Sequence, residues 1–263
     1  MRLQTLVSTM NQNEFDLIEK MKICSDSIVV NQCNMDSRID FVYENFKIVW
    51  VNSNEVGLSN SRNLALKHSD GDISLIADDD LEYVKNYANN IINEFLKNPK
   101  ADIIVFQVKG IEKEFKKYKP IAKKIGYLSA MKISSVEIAF RTNKVKEKMI
   151  SFDPLFGAGG KYKMGEESIF LFDCLKKGLK IYYVPVEIAR LHIGSSSWFH
   201  GYNEEYFQNK GAAFAAMTKV FSPILNFQFS IRKRKLYKNK FSFVEVFKNM
   251  SIGRKNYLKN KKL

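Results

Sequence analysis

The chain has 263 residues, 45% of them apolar, and a formal net charge of +14, which is enough length for one full α/β core or a domain with an appendage. Its three cysteines (Cys24, Cys33 and Cys174) are odd in number and scattered, which argues against a disulfide framework or a CxxC zinc site and for a reducing cytoplasm. No uninterrupted apolar run reaches the roughly 18 residues a membrane span needs, and the opening residues lack the basic and apolar regions of a secretory leader.

Leu3–Thr9 reads as a first strand that ends in Ser8-Thr9-Met10-Asn11. Asn11 is expected to cap a helix, with Glu14 completing a capping box and Phe15, Leu17, Ile18 and Met21 forming an apolar face. Strands follow at Ser27–Val30, which runs into Asn31-Gln32-Cys33-Asn34, and at Phe46–Val51, with charged loop-like stretches between. Strand, helix, strand, loop, strand is the order of a parallel Rossmann-like half. The segment Gly57–Lys67 reads as a helix with Arg62 near its first turn, a place where a cation is unfavourable unless an anion recruits it.

Ile73-Ser74-Leu75-Ile76-Ala77 is a near-continuous apolar run, the signature of a strand buried on both faces. It ends in Asp78-Asp79-Asp80. Three adjacent carboxylates repel one another, and they stand at the carboxyl end of a strand, where open α/β sheets bind ligands. Oxygen donors of this kind suit Mg2+ or Mn2+ shared with substrate phosphates. A solvated acidic turn is the plainer reading.

Beyond the acids, Tyr83–Leu96 reads as an amphipathic helix and Asp102–Val108 as a strand, followed by a Lys-rich surface excursion over 109–134 and a strand at Val136–Arg141. Phe156–Tyr162 is glycine-rich without P-loop spacing, so it reads as a close-approach loop. Ser168–Lys177 reads as a helix that stops at Gly178, with Glu166 and Glu167 at its head. Two acids there suit the helix dipole, and either could also serve as a general base. Leu179–Val184 and Glu187–His192 read as two strand segments leading to Ser195-Ser196-Ser197-Trp198.

Over roughly residues 1–220 these pieces resemble the family 2 glycosyltransferases, which have the GT-A fold. The resemblance is carried by four elements in order: the polar end of the first strand (Ser8, Thr9, Asn11), Gly57-Leu58-Ser59-Asn60-Ser61-Arg62-Asn63 as the Gly-x-x-x-x-Arg-Asn segment, Asp78-Asp79-Asp80 as the DXD motif, and Gly165-Glu166-Glu167 as the Gly-Glu-Asp segment. It implies an α/β fold with a mixed, mostly parallel sheet flanked by helices, and transfer of a sugar from a nucleotide donor with inversion. It also implies roles. Asp80 and Asp78 are the expected metal ligands, with His192 as a late third candidate that is more readily a structural histidine. Thr9, Asn11, Asn31, Gln32, Arg62, Asp78 and Asp79 are the expected nucleotide-sugar contacts, and Glu167, with Glu166 beside it, the expected base. Two positions depart from the family pattern. Asn31-Gln32 stands where an acid often reads uracil, and Glu167 stands where Asp is usual. Trp198 and Phe199 could stack on a sugar ring or simply pack.

The basicity is concentrated at one end. Residues 231–263 hold twelve Lys or Arg and a single acid, Glu245, leaving only +3 for the first 230 residues. Residues 221–263 are therefore expected to form a basic, amphipathic helical extension to a catalytic domain over 1–220. Aromatic and basic residues mixed in this way suit an anionic membrane surface on the inner face of the cell membrane, and equally a solvated tail. The expected partners are a nucleotide-sugar donor and a glycan or lipid-linked acceptor of lipopolysaccharide, capsule or other surface-polysaccharide assembly. Nucleic acid is not expected, for want of a recognition module. The rival readings are a sugar-phosphate nucleotidyltransferase, whose Gly-rich basic signature is missing after the first strand, and a non-catalytic binding protein acting through the basic tail.

Overall fold

The computed structural model describes residues 1–194 and 201–260; Trp198 and Phe199 lie outside the described residues. The amino-terminal half is built from β1 (Leu3–Met10), a short α1 (Leu17–Lys20), β2 (Asp26–Gln32), β3 (Ser37–Tyr43), β4 (Phe46–Ser53), α2 (Leu58–His68) and β5 (Ile73–Asp78). β6 (Leu81–Tyr83), α3 (Tyr87–Lys97), β7 (Ile103–Gly110), β8 (Lys123–Ile125) and α4 (Tyr127–Ala130) follow. A 3-10 turn at Ser135–Glu137 then leads into β9 (Ile138–Arg141), α5 (Thr142–Glu147), α6 (Glu166–Lys176) and β10 (Ile181–Leu191). The carboxyl-terminal part is helical: α7 (Glu204–Met217), α8 (Ser222–Arg232), α9 (Arg234–Tyr237) and α10 (Phe243–Asn260).

One mixed sheet carries the fold, in the order β3-β4-β2-β1-β5-β9-β7-β10-β6, with β8 on β10. The strands β4, β2, β1 and β5 run parallel to one another, as does β7 with β10, while β9 is inserted antiparallel between β5 and β7. Because β5 and β7 therefore point the same way, their carboxyl ends open on one edge of the sheet. Both faces are covered. On one, Leu6, Ile28 and Val49 pack under Ala65 of α2, Phe170 of α6 and Phe207 of α7. On the other, Val7, Val29 and Trp50 pack against Ile18 of α1 and Ile91 and Phe95 of α3. Double coverage is why β1, β2 and β5 are buried along nearly their whole length.

Several elements differ from the sequence reading. Asn11 does not cap a helix: it holds a left-handed φ of 51°, and its amide donates to the Gln32 carbonyl at 3.0 Å. The chain therefore continues along β2, and α1 starts only at Leu17. The stretch read as loop before β4 is an antiparallel edge strand, β3, joined to β4 by the two residues Glu44 and Asn45, with φ of 47° and 75°. Such a turn matches the twist of the flanking strands. Tyr83 belongs to a short strand paired with β10, so the helix after the acids starts at Tyr87. The two late segments are one strand, β10, whose register against β7 shifts between Tyr183 and Glu187, around Pro185. Within the surface excursion, Lys123–Ile125 pairs with β10 as β8.

Candidate active site

Strand alternation divides the acidic triplet. Successive residues of a strand face opposite sides, so Asp78 turns toward α2 while Asp79 turns to the other face. There the hydroxyl of Thr9, at the end of β1, donates to Asp79 Oδ2 at 2.6 Å, and Gln12 Nε2 donates to the same hydroxyl at 3.0 Å. Asp80 lies two residues beyond the strand's last residue, Asp78, and stays at the exposed edge, its carboxylate receiving no side-chain hydrogen bond from the described residues. Partial burial of that carboxyl, then the charges of Asp78 and Asp79, push it up to about 6.

Arg62 is 2% exposed. Its guanidinium forks between two carboxylates, one terminal nitrogen 2.8 Å from Asp78 Oδ1 and the other 3.1 Å from Glu166 Oε1. Burial alone would lower its proton affinity, but Asp78 and Glu166 outweigh that and hold it charged. Ser135 donates to the other oxygen of Asp78 at 3.3 Å, and the Arg62 carbon lies 5.6 Å from the Phe152 ring centre. Both terminal nitrogens of Arg62, an expected nucleotide-sugar contact, are committed to protein carboxylates, while Nε has no hydrogen-bond partner among the described residues. Its neighbour Asn63 clamps the backbone of Phe152, donating to its carbonyl and accepting from its amide, both at 2.8 Å.

The glycine-rich loop makes the close approach. A methyl group at Gly159 would meet Gly57 Cα at 2.9 Å, and one at Gly157, whose φ is +96°, would press on the Glu166 carboxyl at 3.2 Å. Ser59 donates to the Phe156 carbonyl at 2.7 Å, and the Leu58 amide donates to that of Ala158 at 2.9 Å. The start of α2 and the loop thus fix Glu166 at the head of α6. Glu167, half-buried, is held well above the usual carboxylate range by burial first and the Glu166 charge second. Lys210 of α7 approaches it; burial lowers the ammonium's proton affinity, and Glu167 opposes that. The sequence reading missed Lys210. Its one local signal is a lone cation ahead of the apolar run Gly211-Ala212-Ala213-Phe214.

Beside β1 and β2 opens a cavity of about 510 Å3 lined by Asn11, Gln12, Asn31, Cys33, Trp50 and Asn52 among others. Asn31 is at its wall, but its amide is engaged by protein: Oδ1 accepts from the Gln12 amide at 3.0 Å, and Nδ2 donates to the Gln12 carbonyl and to Asn52 Oδ1, both at 2.9 Å. Gln32 points away into the fold, where Oε1 accepts from the Gly57 amide at 2.7 Å. His192 touches Asp80 only through its backbone, its amide donating to the Asp80 carbonyl at 2.9 Å. Its ring lies between Glu82 at 2.7 Å and Glu112 at 3.0 Å, and these carboxylates, Glu112 first, raise its proton affinity.

The side chains expected to share a metal are therefore not gathered: Asp78 faces Arg62, and His192 faces Glu82 and Glu112. No three His, Cys, Asp or Glu side chains among the described residues converge on a metal position. The donor set at the edge nevertheless fits a hard divalent cation. Asp80 supplies an exposed carboxylate beside those of Asp78 and Asp79, and a cation shared with phosphate needs only one or two protein carboxylates.

A profile described as glycosyl transferase family 2 matches residues 27–170. No curated protein sequence matches the chain. Among solved structures, S. aureus TarS 1–349 in complex with UDP-GlcNAc is similar with a TM-score of 0.64 and 17% identity, over 95% of this chain and 79% of that one. The mannosyltransferase PcManGT from Pyrobaculum calidifontis, in complex with GDP-Man and Mn2+, is similar with a TM-score of 0.54 and 14% identity, over 96% and 73%. At such identities the likeness is one of fold. The profile match covers more than half of the chain and takes in Arg62, the acidic triplet and the head of α6, and with it the nucleotidyltransferase and non-catalytic readings fall away. The chain belongs to glycosyl transferase family 2 and is a glycosyltransferase of the GT-A fold.

Proposed function

We propose that the protein is an inverting, metal-dependent glycosyltransferase that moves a sugar from a nucleoside diphosphate donor to a hydroxyl of a glycan or lipid-linked acceptor, on the cytoplasmic side, in surface-polysaccharide assembly. The observation that carries this reading is the Asp78–Arg62–Glu166 chain, buried at Arg62 and Glu166, which couples the end of the acidic strand to the head of the helix that presents Glu167. Mn2+ or Mg2+ at Asp80 would supply Lewis-acid neutralisation of the departing diphosphate. Thr9 and Asp79 brace the donor side of the edge through their hydrogen bond. Glu167 accepts the proton of the acceptor hydroxyl as the new carbon–oxygen bond forms, and its raised proton affinity suits a base working near neutral pH. A single base opposite the leaving group gives one displacement and hence inversion.

The test is a thermal-shift panel of UDP, GDP, dTDP and CMP, each with and without Mn2+, on the wild type and Asp80→Ala. Binding to the folded state raises the melting temperature by mass action. The expected outcome is a manganese-dependent rise with one diphosphate that the variant lacks. No rise with any nucleotide would sink the proposal.

A further inference from the structure

Helix α8 is amphipathic in the inverted sense. Its inaccessible positions are polar, Ser222, Asn226 and Ser230 at four-residue spacing. Its outward positions are apolar: Ile224, Phe227 and Ile231 are 63%, 50% and 53% exposed, with Phe221 just ahead at 61%. The inner face is fixed by Arg254 Nε donating to Ser222 Oγ at 2.8 Å and by Tyr237 donating its hydroxyl to the Ser230 carbonyl. It also buries the side-chain amide of Asn226 with no hydrogen-bond partner among the described residues, an unfavourable arrangement in water. Beside these polar residues Leu225 and Phe229 pack against the core, while Ile224, Phe227 and Ile231 stay outside. The observed orientation is the favourable one where the outer face leaves water for an apolar phase.

The apolar face continues onto α10, where Val244 is 69% exposed and Phe243 and Phe247 meet Phe227 edge to face. From Lys219 to Val244, both included, there are seven Lys or Arg and no acid. The cations flank the apolar stripe, clustered as Arg232-Lys233-Arg234-Lys235, which is the pattern of a helix lying in a headgroup layer. We infer that α8, with the start of α10, is an in-plane docking face for an anionic lipid bilayer. Phe221, Ile224, Phe227 and Ile231 enter the headgroup–acyl boundary, and the basic cluster engages headgroup phosphates.

The face is close to the chemistry. Phe229 of α8 packs on Phe214 of α7, ring centres 6.2 Å apart. The same α7 brings Lys210 near Glu167 and Ala213 against Gly165 at the head of α6. A lipid-linked acceptor in that bilayer would have its polar end near Glu167; this extension rests on the proposed reaction, whereas docking itself does not.

The experiment is vesicle flotation of the full chain with phosphatidylcholine alone and with an equal mixture of phosphatidylcholine and phosphatidylglycerol. Wild type is expected to bind the mixed vesicles at least about tenfold more tightly, with loss in high salt. Ile224→Glu/Phe227→Glu is expected to weaken binding about tenfold or more, while the melting temperature falls only slightly, because Ile224 faces solvent and Phe227 gives up only its edge contacts with Phe243 and Phe247. Neutralising the basic cluster, Arg232→Gln/Lys233→Gln/Arg234→Gln/Lys235→Gln, is expected to remove the salt dependence. Absence of wild-type binding, or equal binding by the Ile224/Phe227 variant, would overturn the inference. So would a dimer that this variant dissociates without any vesicle binding, since a second copy would then own the face. Vesicle binding without a nucleotide response would keep the docking face and sink the reaction.

Discussion

Removing the Arg62 side chain would leave the carboxylates of Asp78 and Glu166 facing each other in a site from which water is largely excluded. Breaking such a buried pair costs about 3–5 kcal/mol because an uncompensated charge remains. Arg62→Ala is expected to lose stability on that scale, read as a lower urea midpoint with an unchanged slope. Glu167 makes a different prediction. Its proton affinity is raised in the fold, so the folded state binds more protons than the unfolded chain between the ordinary glutamate range and the raised value. Stability from this group therefore falls as pH rises through that interval, and it is unaffected below it. Glu167→Gln is expected to melt higher than wild type at neutral and alkaline pH but not under acid conditions, while transfer drops about 100-fold or more. A wild-type pH–rate profile should rise above the usual carboxylate range. The positions of Arg62, Asp80 and Glu167 were legible from short motifs in order. Their division of labour was not, because it depends on strand parity at Asp78 and Asp79 and on partners as remote as Glu166, 104 residues from Arg62.

The crossing of α7 and α10 shows how an element can depend on two missing side chains. A methyl group at Gly211 would meet the Met250 carbonyl oxygen, and one at Gly253 that of Gln208, each at 1.9 Å. Backbone cannot yield as a flexible side chain can, so Gly253→Ala is expected to cost about 1–3 kcal/mol by overpacking. Gly126→Ala, where a methyl group meets nothing within 4 Å, is the neutral control in the same denaturation experiment. Elements with two buried faces were legible: β2, β4, β5 and β7 announce themselves through apolar or nearly apolar runs. β3 was not, because its residues are largely exposed and carry no burial pattern; the turn at Glu44-Asn45 was the available signal. The premature helix start at Asn11 came from a capping pattern overridden by a tertiary hydrogen bond to Gln32.

Across the whole molecule, the near-neutral α/β part and the basic helical flank give an uneven field. Such a molecule approaches an anionic surface flank first, and salt weakens that steering. The flank is also part of the folded body. Tyr237, Val246 and Met250 are buried in the core that contains Phe170 and Phe207, a junction invisible to composition, which registers only the lysines.

Tyr257 of α10 packs edge-on to Phe156 and Tyr162 of the glycine-rich loop, and its hydroxyl donates to Asp153, 104 residues earlier. On the ribosome, the loop that seats Glu166 therefore emerges long before its aromatic support. A nascent chain can complete β1 to β5 and still lack a braced catalytic edge. The order of synthesis thus separates the amino-terminal strands from completion of the candidate site, whose aromatic support arrives only with α10.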